Sequence, residues 1–288
     1  MAVARRLTRR LRRTPLTTLT ELAGSRELLS NLTLRELRGK YKRSALGWSW
    51  SLLNPLATML IFTFVFRFVL RIQPAASDSG LQNYALFLLC GLLPWNFVAA
   101  GMTGSIAMLV GNANLIKKVY FPREILVVAN VLSWDVSLLI ELGVLAIALM
   151  FFGNMVLPWI PVVLALVALL TLFVIGLGLL LSVLNVYFRD VQHFVGIFLQ
   201  IWFYATPVIY PLHLVEDQAG REFLGVSVLT LYKINPMVHF VEMFRDAFYD
   251  LGAPSLGSVL YAAAWSVGLL ALGYAVFSKL EGRLAEEL

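Results

Sequence analysis

The residues able to perform acid–base or metal chemistry are few in this sequence and lie far apart. The three histidines, His193, His213 and His239, do not have the spacing of metal ligands. Asp135 and Glu141 are six residues apart, so they do not share one face of a helix. The Asp-x-Asp pair expected of a membrane glycosyltransferase is also missing. The sequence therefore predicts no metal site and no catalysis by this chain, which argues against a membrane glycosyltransferase or acyltransferase.

A loop for binding nucleotide phosphates is missing as well. Such a loop needs a glycine five residues before Gly-Lys and a serine or threonine after it. Here Leu34 precedes Gly39-Lys40, and Tyr41 follows. Any transport driven by ATP would need a second chain that binds ATP and Mg²⁺, and we expect no cofactor in this one.

The composition is that of a membrane protein. Hydrophobic residues make up 59% of the chain and charged residues 14%, and the mean hydropathy is +0.79. A helix needs about 20 mostly apolar residues to cross a bilayer. We predict an all-α polytopic membrane protein with six transmembrane helices, at Leu52–Leu70, Tyr84–Val110, Ile125–Phe152, Pro158–Leu184, Val191–Leu212 and Leu256–Phe277.

The basic residues predict the orientation of these helices. Twelve of the 23 Lys and Arg residues precede Trp48. Six spans would place the segments 111–124, 185–190 and 278–288 on the same side of the membrane as this N-terminal part. Together these four segments contain 18 of the 23 basic residues. Basic residues near short loops stay in the cytoplasm. We therefore expect a multi-pass membrane protein with both termini cytoplasmic, and no nucleic-acid partner.

Two stretches depart from a plain helical bundle. Residues 25–51 form a basic amphipathic pattern that ends at Trp48 and Trp50, which predicts a helix in the cytoplasmic interface. Residues 213–255 contain two short apolar runs on either side of Asn235-Pro236, which predicts an outer re-entrant helical pair. The predicted domains are a basic cytoplasmic arm (1–24), the interface helix (25–51) and a permease domain (52–288).

Several runs of residues resemble the ABC-type polysaccharide export permeases. The resemblance extends in order from about Leu34 to Arg245, and six spans is also the number typical of that family. It rests on LREL at 34–37, YKRS at 41–44, LGWSW at 46–50, LNPL at 53–56, IKKVYFPRE at 116–124, NVYFRDV at 185–191, TPVIY at 206–210 and INP at 234–236.

The resemblance implies a transport mechanism and its partners. Such permeases form homodimers, and each copy docks a cytoplasmic P-loop ATPase subunit that binds ATP and Mg. The complex moves a lipid-linked polysaccharide outward. The resemblance also implies that a short helix in the loop after the second span contacts the ATPase. That loop contains Lys117, Lys118, Val119, Tyr120, Phe121, Pro122 and Arg123, with the two aromatic residues as anchors and the basic residues as a rim. Those bases could also act only as topology determinants.

Aromatic residues are the candidates for a glycan conduit. Aromatic faces stack on sugar rings, and Trp N–H and Tyr O–H groups can bond to sugar hydroxyls. In the resembling family the first and fifth spans line the conduit, which implies roles for Phe62, Phe66, Trp202, Tyr204 and Tyr210. Lipid contact and packing would explain the phenylalanines equally well.

The basic residues near the first span are candidates for admitting the substrate. A polyprenyl-pyrophosphate carrier would bring anionic phosphates to the cytoplasmic leaflet, where Arg38, Lys42 and Arg43 are expected. Binding of anionic membrane lipids accounts for the same cluster.

Other functions of a six-span chain remain open. A permease of the same architecture could export a small lipophilic drug, and a gradient-driven carrier would need no ATPase. Among polysaccharides, the excess of Arg (17) over Lys (6) suits a GC-rich genome and favours an actinobacterial galactan over O-antigen or teichoic acid.

Overall fold

The structure is a computed structural model that describes residues 25–40, 42, 44, 46–69, 79–119, 121–217, 222–223 and 226–288. The predicted basic arm lies outside these residues. The described part is all-α except for one antiparallel pair of two-residue strands, Glu222–Phe223 and Val226–Ser227. The helices are α1 (Arg26–Lys40), α2 (Trp50–Thr63), α3 (Tyr84–Gly111), α4 (Ala113–Lys118), α5 (Glu124–Phe151), α6 (Ile160–Tyr187), α7 (Val191–Tyr204), α8 (His213–Glu216), α9 (Val228–Ile234), α10 (Pro236–Arg245), α11 (Leu256–Leu280) and α12 (Leu284–Glu287).

Among the residues that the structure describes, four helical stretches are long and apolar enough to cross a membrane. They extend over Tyr84–Gly111, Glu124–Phe151, Leu157–Tyr187 and Leu256–Arg283. These stretches contain α3, α5, α6 and α11, and they match four of the six predicted spans to within a few residues at most ends. A membrane protein with apolar helices is therefore confirmed, whereas the six-span arrangement stays a prediction.

The other two predicted spans have a different local structure. Helix α2 has 14 residues and continues directly into a six-residue π-helix at Phe64–Val69. Helix α7 also has 14 residues, about 21 Å at 1.5 Å per residue. It ends at Tyr204 because Pro207 lacks an N–H and disfavours helical geometry at Thr206.

Helix α1 lies along the half of α5 that begins at Glu124. At one point Arg35 donates to Asn112 Oδ1 at 3.0 Å, beside the end of α3. At its last residue, Lys40 Nζ donates to the carbonyl of Ser133 at 2.9 Å. On the apolar side of α1, Leu32 and Leu37 are buried.

The core is built around α3, which packs against α5, α6 and α10. A close crossing of α6 and α11 completes it, where a Cβ on Gly273 would lie 2.1 Å from the carbonyl oxygen of Gly176. Small residues of this kind let membrane helices approach backbone to backbone. The core thereby supports two features at opposite ends of the bundle. One is the loop after α4, and the other is the segment from the end of α7 to α10.

Candidate functional site

An exposed row of polar residues runs along α7. Gln192, Gly196, Gln200 and Tyr204 follow one another at intervals of four residues, which shifts each position by about 40° around the helix axis. The row therefore slants around one side of α7, with Gly196 as a gap between the two amides. All four are exposed, and Tyr204 has 58% of its surface accessible. The flanking positions on this side include the exposed His193 and the apolar, equally exposed Ile197 and Ile201. The face therefore offers side-chain amides and a phenol in a largely hydrocarbon setting.

The side of α7 next to this row packs against α3. The ring of Trp95 lies edge-on to Trp202 at 5.5 Å between centroids and tilted against Phe203 at the same distance. Val195 is buried on this side as well. These contacts fix the rotation of α7 and leave the polar row pointing away from its own chain.

The end of α7 is held by the side chain of Asn235, which uses all of its hydrogen-bonding groups. Its Oδ1 accepts from Trp202 Nε1 at 2.8 Å and from the N–H of Met237 at 3.0 Å, which caps α10. Its Nδ2 donates to the carbonyl of Ala205 at 3.1 Å and to Thr206 Oγ1 at 2.9 Å. Asn235 thus joins the runs TPVIY and INP, although Thr206 and Asn235 are 29 positions apart in sequence.

A buried arginine ties α10 to the same segment. Arg245 is 2% exposed, and its Nη1 donates to Glu242 Oε1 at 2.7 Å. Its Nη2 donates to the carbonyl of Val208 at 2.8 Å, and its guanidinium lies 3.9 Å from the ring centre of Phe87 in α3. A Cβ on Gly91 would lie 3.2 Å from Nη2, so a residue without a side chain makes room for the arginine. Arg245 therefore connects α3, α10 and the segment after α7.

The predicted conduit residues lie in different surroundings. Tyr204 belongs to the exposed row, whereas the N–H of Trp202 is already bonded to Asn235. The hydroxyl of Tyr210 donates to the carbonyl of Tyr204 at 2.7 Å and pairs with the hydroxyl of Tyr232 at 2.8 Å. The side chains of Phe62 and Phe66 lie outside the described residues. The polar row itself was missed from the sequence, although its four-residue spacing was visible there.

The predicted docking loop is half exposed and half anchored. Lys117, Lys118 and Val119 at the end of α4 are exposed, and Tyr120 lies outside the described residues. Phe121 is only 9% exposed and packs in a cluster with Leu32, Ile116, Ile125 and Leu284. Pro122 and Arg123 are half-buried. The structure therefore leaves the two lysines and Val119 free to contact a partner, while Phe121 holds the loop in place.

Two loops that resemble family motifs meet at the end of α11. Arg123 Nη1 donates to the carbonyl of Glu281, and Tyr187 donates its hydroxyl to the carbonyl of Leu280 at 3.4 Å. The last carbonyls of a helix lack partners within the helix, so donors from elsewhere satisfy them. A movement of the loop after α4 would therefore be transmitted to α11.

The predicted substrate-admitting residues lie at the end of α1. The side chains of Arg38 and Lys42 are exposed and make no hydrogen bond or ion pair with another described residue, and Arg43 lies outside the described range. Lys40 differs from them, because its Nζ lies 3.4 Å from the ring centre of Trp134 and 3.5 Å from Ser137 Oγ.

We expect Lys40 to stabilise the packing of α1 on α5. Lys40→Met removes a hydrogen bond and a cation–π contact, together about 1–2 kcal/mol, and should lower the melting temperature of the purified protein by several degrees. Arg38→Met, on the same helix but exposed, is the matched control and should melt as the wild type does. Equal melting of the two variants would contradict this role.

The acidic residues of α5 have separate surroundings. Thr171 of α6 donates to Asp135 Oδ1 at 3.1 Å, which is a hydrogen bond between two helices. Glu141 lines an apolar cavity of about 240 Å³ between α2, α3 and α5. Within the described ranges, no group of His, Cys, Asp and Glu side chains is placed to hold a metal ion.

Comparison with known proteins gives one consistent result. Residues 27–249 match the family described as ABC-2 type transporter. The chain is 31% identical over 269 residues to the O-antigen export system permease protein RfbA of Myxococcus xanthus, covering 93% of this chain and 98% of that protein. It is 31% identical over 263 residues to the protein of the same name from Klebsiella pneumoniae, covering 91% and 95%. The polysialic acid transport protein KpsM of Escherichia coli is 26% identical over 261 residues, covering 87% and 92%.

Proposed function

Because the chain belongs to the ABC-2 type transporter family, we propose that it is the permease subunit of an ATP-driven exporter of a lipid-linked cell-envelope polysaccharide. Similar proteins are named for export of O-antigen and for transport of polysialic acid. Galactan is the glycan that the composition of the sequence favours. In this proposal the chain binds no nucleotide itself, and a separate ATPase subunit holds ATP and Mg.

The observation that carries this proposal is the polar row on α7. An amide side chain facing lipid loses its hydrogen bonds to water, so polar groups within a bilayer usually face protein or a water-filled space. Gln192 and Gln200 therefore favour a face that meets a hydrated path. A glutamine amide both donates and accepts hydrogen bonds, as sugar hydroxyls do. Tyr204 adds an aromatic face for stacking on sugar rings.

The path needs a second wall, which we assign to another copy of this chain. In a two-fold symmetric pair, the same face of each copy meets the axis. Two α7 helices facing each other would enclose a space lined by both polar rows. The six-span topology, with both termini in the cytoplasm and the segment 213–255 as a re-entrant pair on the outer side, belongs to this proposal. In that arrangement Asn235 and Arg245 shape the exit.

The cytoplasmic side would contact both the substrate and the ATPase. Lys117, Lys118 and Val119 provide an exposed basic and apolar surface for the ATPase subunit, with Phe121 and Arg123 holding it in position. Arg38 and Lys42 are free to pair with the phosphates of a lipid carrier or with anionic headgroups.

The proposed function is tested by gentle purification of the tagged chain from its native membranes. The expected result is a stoichiometric P-loop subunit in the eluate with ATPase activity. A clean preparation of this chain with neither the subunit nor the activity would reject an ABC permease in favour of a gradient-driven carrier.

The polar row predicts a specific loss of transport. Gln192→Leu combined with Gln200→Leu should reduce the rate at which polysaccharide appears on the cell surface by about thirtyfold, since each of the two lost hydrogen bonds contributes about 1 kcal/mol. Both residues are exposed, so the melting temperature should not fall.

The matched variant is Gln192→Ser with Gln200→Ser, which keeps a donor and an acceptor at each position and should retain most of the transport. Ile197→Leu with Ile201→Leu should export at the wild-type rate. If the Gln192→Leu/Gln200→Leu variant also exported at the wild-type rate, the face would border lipid and the assignment of the conduit would be wrong.

A further inference from the structure

The residues after α11 fold back onto the docking loop. A 3₁₀ turn at Glu281–Arg283 leads into α12, which packs against α4 and α6. Leu284 is fully buried in the cluster that also contains Ile116 and Phe121, and Leu288 packs on its edge. The apolar side of this short segment is thus fixed against the same residues that hold the docking loop.

Hydrogen bonds fasten the segment at its start. Arg123 of the docking loop and Tyr187, the last residue of α6, donate to the carbonyls of Glu281 and Leu280. These two donors come from separate parts of the chain, so the start of the segment is joined both to the docking loop and to α6. The docking loop and residues 281–288 form one surface.

The exposed charges of this surface are of both signs. Lys117 and Lys118 at the end of α4 are exposed, and so are Glu286 and Glu287 of α12. None of the four forms an ion pair with another residue that the structure describes. Val119, which follows the two lysines, is 52% exposed. Exposed charged side chains near an apolar residue, not paired with any described residue, are the type of rim found around protein contacts.

We propose that α12 is the second half of the docking surface, and that Glu286 and Glu287 contact basic residues of the ATPase subunit. Lys117 and Lys118 face acidic residues of the same subunit. This proposal rests on the proposed function, since it assumes that an ATPase subunit binds at α4. The two charge pairs of opposite sign would fix the orientation of the ATPase, because binding in a reversed position would bring like charges together.

The proposal is tested by titrating the ATPase subunit against the full-length chain in lipid nanodiscs. Glu286→Lys combined with Glu287→Lys should weaken binding at least tenfold at low salt, and the difference should shrink as salt is added. Glu286→Gln with Glu287→Gln should weaken binding less. Glu216→Lys with Asp217→Lys, an exposed acidic pair at the other end of the bundle, is the matched control and should bind as the wild type does.

The outcomes separate this proposal from the one on which it rests. If the wild-type chain binds no ATPase, the proposed function fails and this inference fails with it. If the wild type binds and the Glu286/Glu287 variants bind equally well, the proposed function stands and the role of α12 is rejected.

A cross-linking experiment provides an independent readout. The single cysteine, Cys90, is fully buried, so an engineered cysteine is the only accessible thiol. A photoreactive maleimide attached to Glu287→Cys should cross-link to the ATPase subunit, whereas the same reagent on Glu216→Cys should not. Absence of cross-links from position 287 in a complex that retains its ATPase would overturn the proposal.

Discussion

Reversing the charges of Lys117 and Lys118 is expected to abolish export. The variant Lys117→Glu with Lys118→Glu changes two exposed residues at the end of α4 and leaves the buried anchor Phe121 in place. Placing like charges against the partner costs several kcal/mol, enough to reduce binding of the ATPase by more than a hundredfold. The measurement is the amount of ATPase that co-purifies with the chain, together with polysaccharide at the cell surface.

A suitable control for this variant must alter charge without touching the loop. Lys233→Glu changes an exposed lysine of α9, at the other end of the bundle, and should leave co-purification nearly unchanged. The variant chain should reach the membrane in normal amount and melt at the wild-type temperature. If export and ATPase recovery were both unchanged by reversal at Lys117 and Lys118, these lysines would serve only to determine topology.

Replacing Arg245 is expected to damage both stability and export. Arg245→Met removes the donor to Val208, the ion pair with Glu242 and the cation–π contact with Phe87, in a site where the arginine is 2% exposed. The carbonyl of Val208 would remain buried without this donor. We expect a loss of about 2–3 kcal/mol in the free energy of unfolding and little export, because the segment after α7 is no longer fixed to α3 and α10.

Two further variants separate the role of the site from the role of charge. Arg245→Lys keeps the positive charge but cannot reach both acceptors at once, so its stability should lie between those of Arg245→Met and the wild type. Lys233→Ala removes an exposed cation in the preceding helix α9 and should have little effect. A melting temperature of Arg245→Met equal to that of the wild type would show that the contacts of Arg245 do not hold this segment.

The long helices could be predicted from the sequence because continuous apolar runs leave few alternatives. The span predicted at Tyr84–Val110 is observed at Tyr84–Gly111, starting at the cap provided by Asn83. The end of α7 was placed too late, at Leu212 instead of Tyr204. The apolar run continues past the helix, and the signal that it ends was Pro207.

The contacts of the site were harder to predict, because they join residues that are distant in sequence. Trp202 was predicted to contact sugar through its indole N–H, but that N–H donates to Asn235 Oδ1. The burial of Phe121 depends on Leu284, which is more than 160 positions away. An aromatic residue that anchors a loop to its own chain and one that contacts a partner protein look alike in sequence, because only the fold decides which side of the loop is covered.

Lys40 illustrates the same limit for charged residues. It lies between Arg38 and Lys42 in a basic run, and the sequence alone groups the three together. The structure separates them, because Lys40 ends α1 against Ser133 and Trp134 while its neighbours stay exposed. By contrast, the spacing of Gln192, Gly196 and Gln200 was a local signal that the sequence did contain.

The central claim is that this chain forms the membrane path for an ATP-driven movement of a lipid-linked polysaccharide. Inside-out vesicles that contain the chain and its ATPase test it directly, since transport would carry the glycan into the lumen and protect it from an added glycosidase. We predict protection that requires hydrolysable ATP and disappears with Lys117→Glu/Lys118→Glu. Protection that develops without ATP, or none at all from vesicles in which the ATPase is bound and active, would contradict the account.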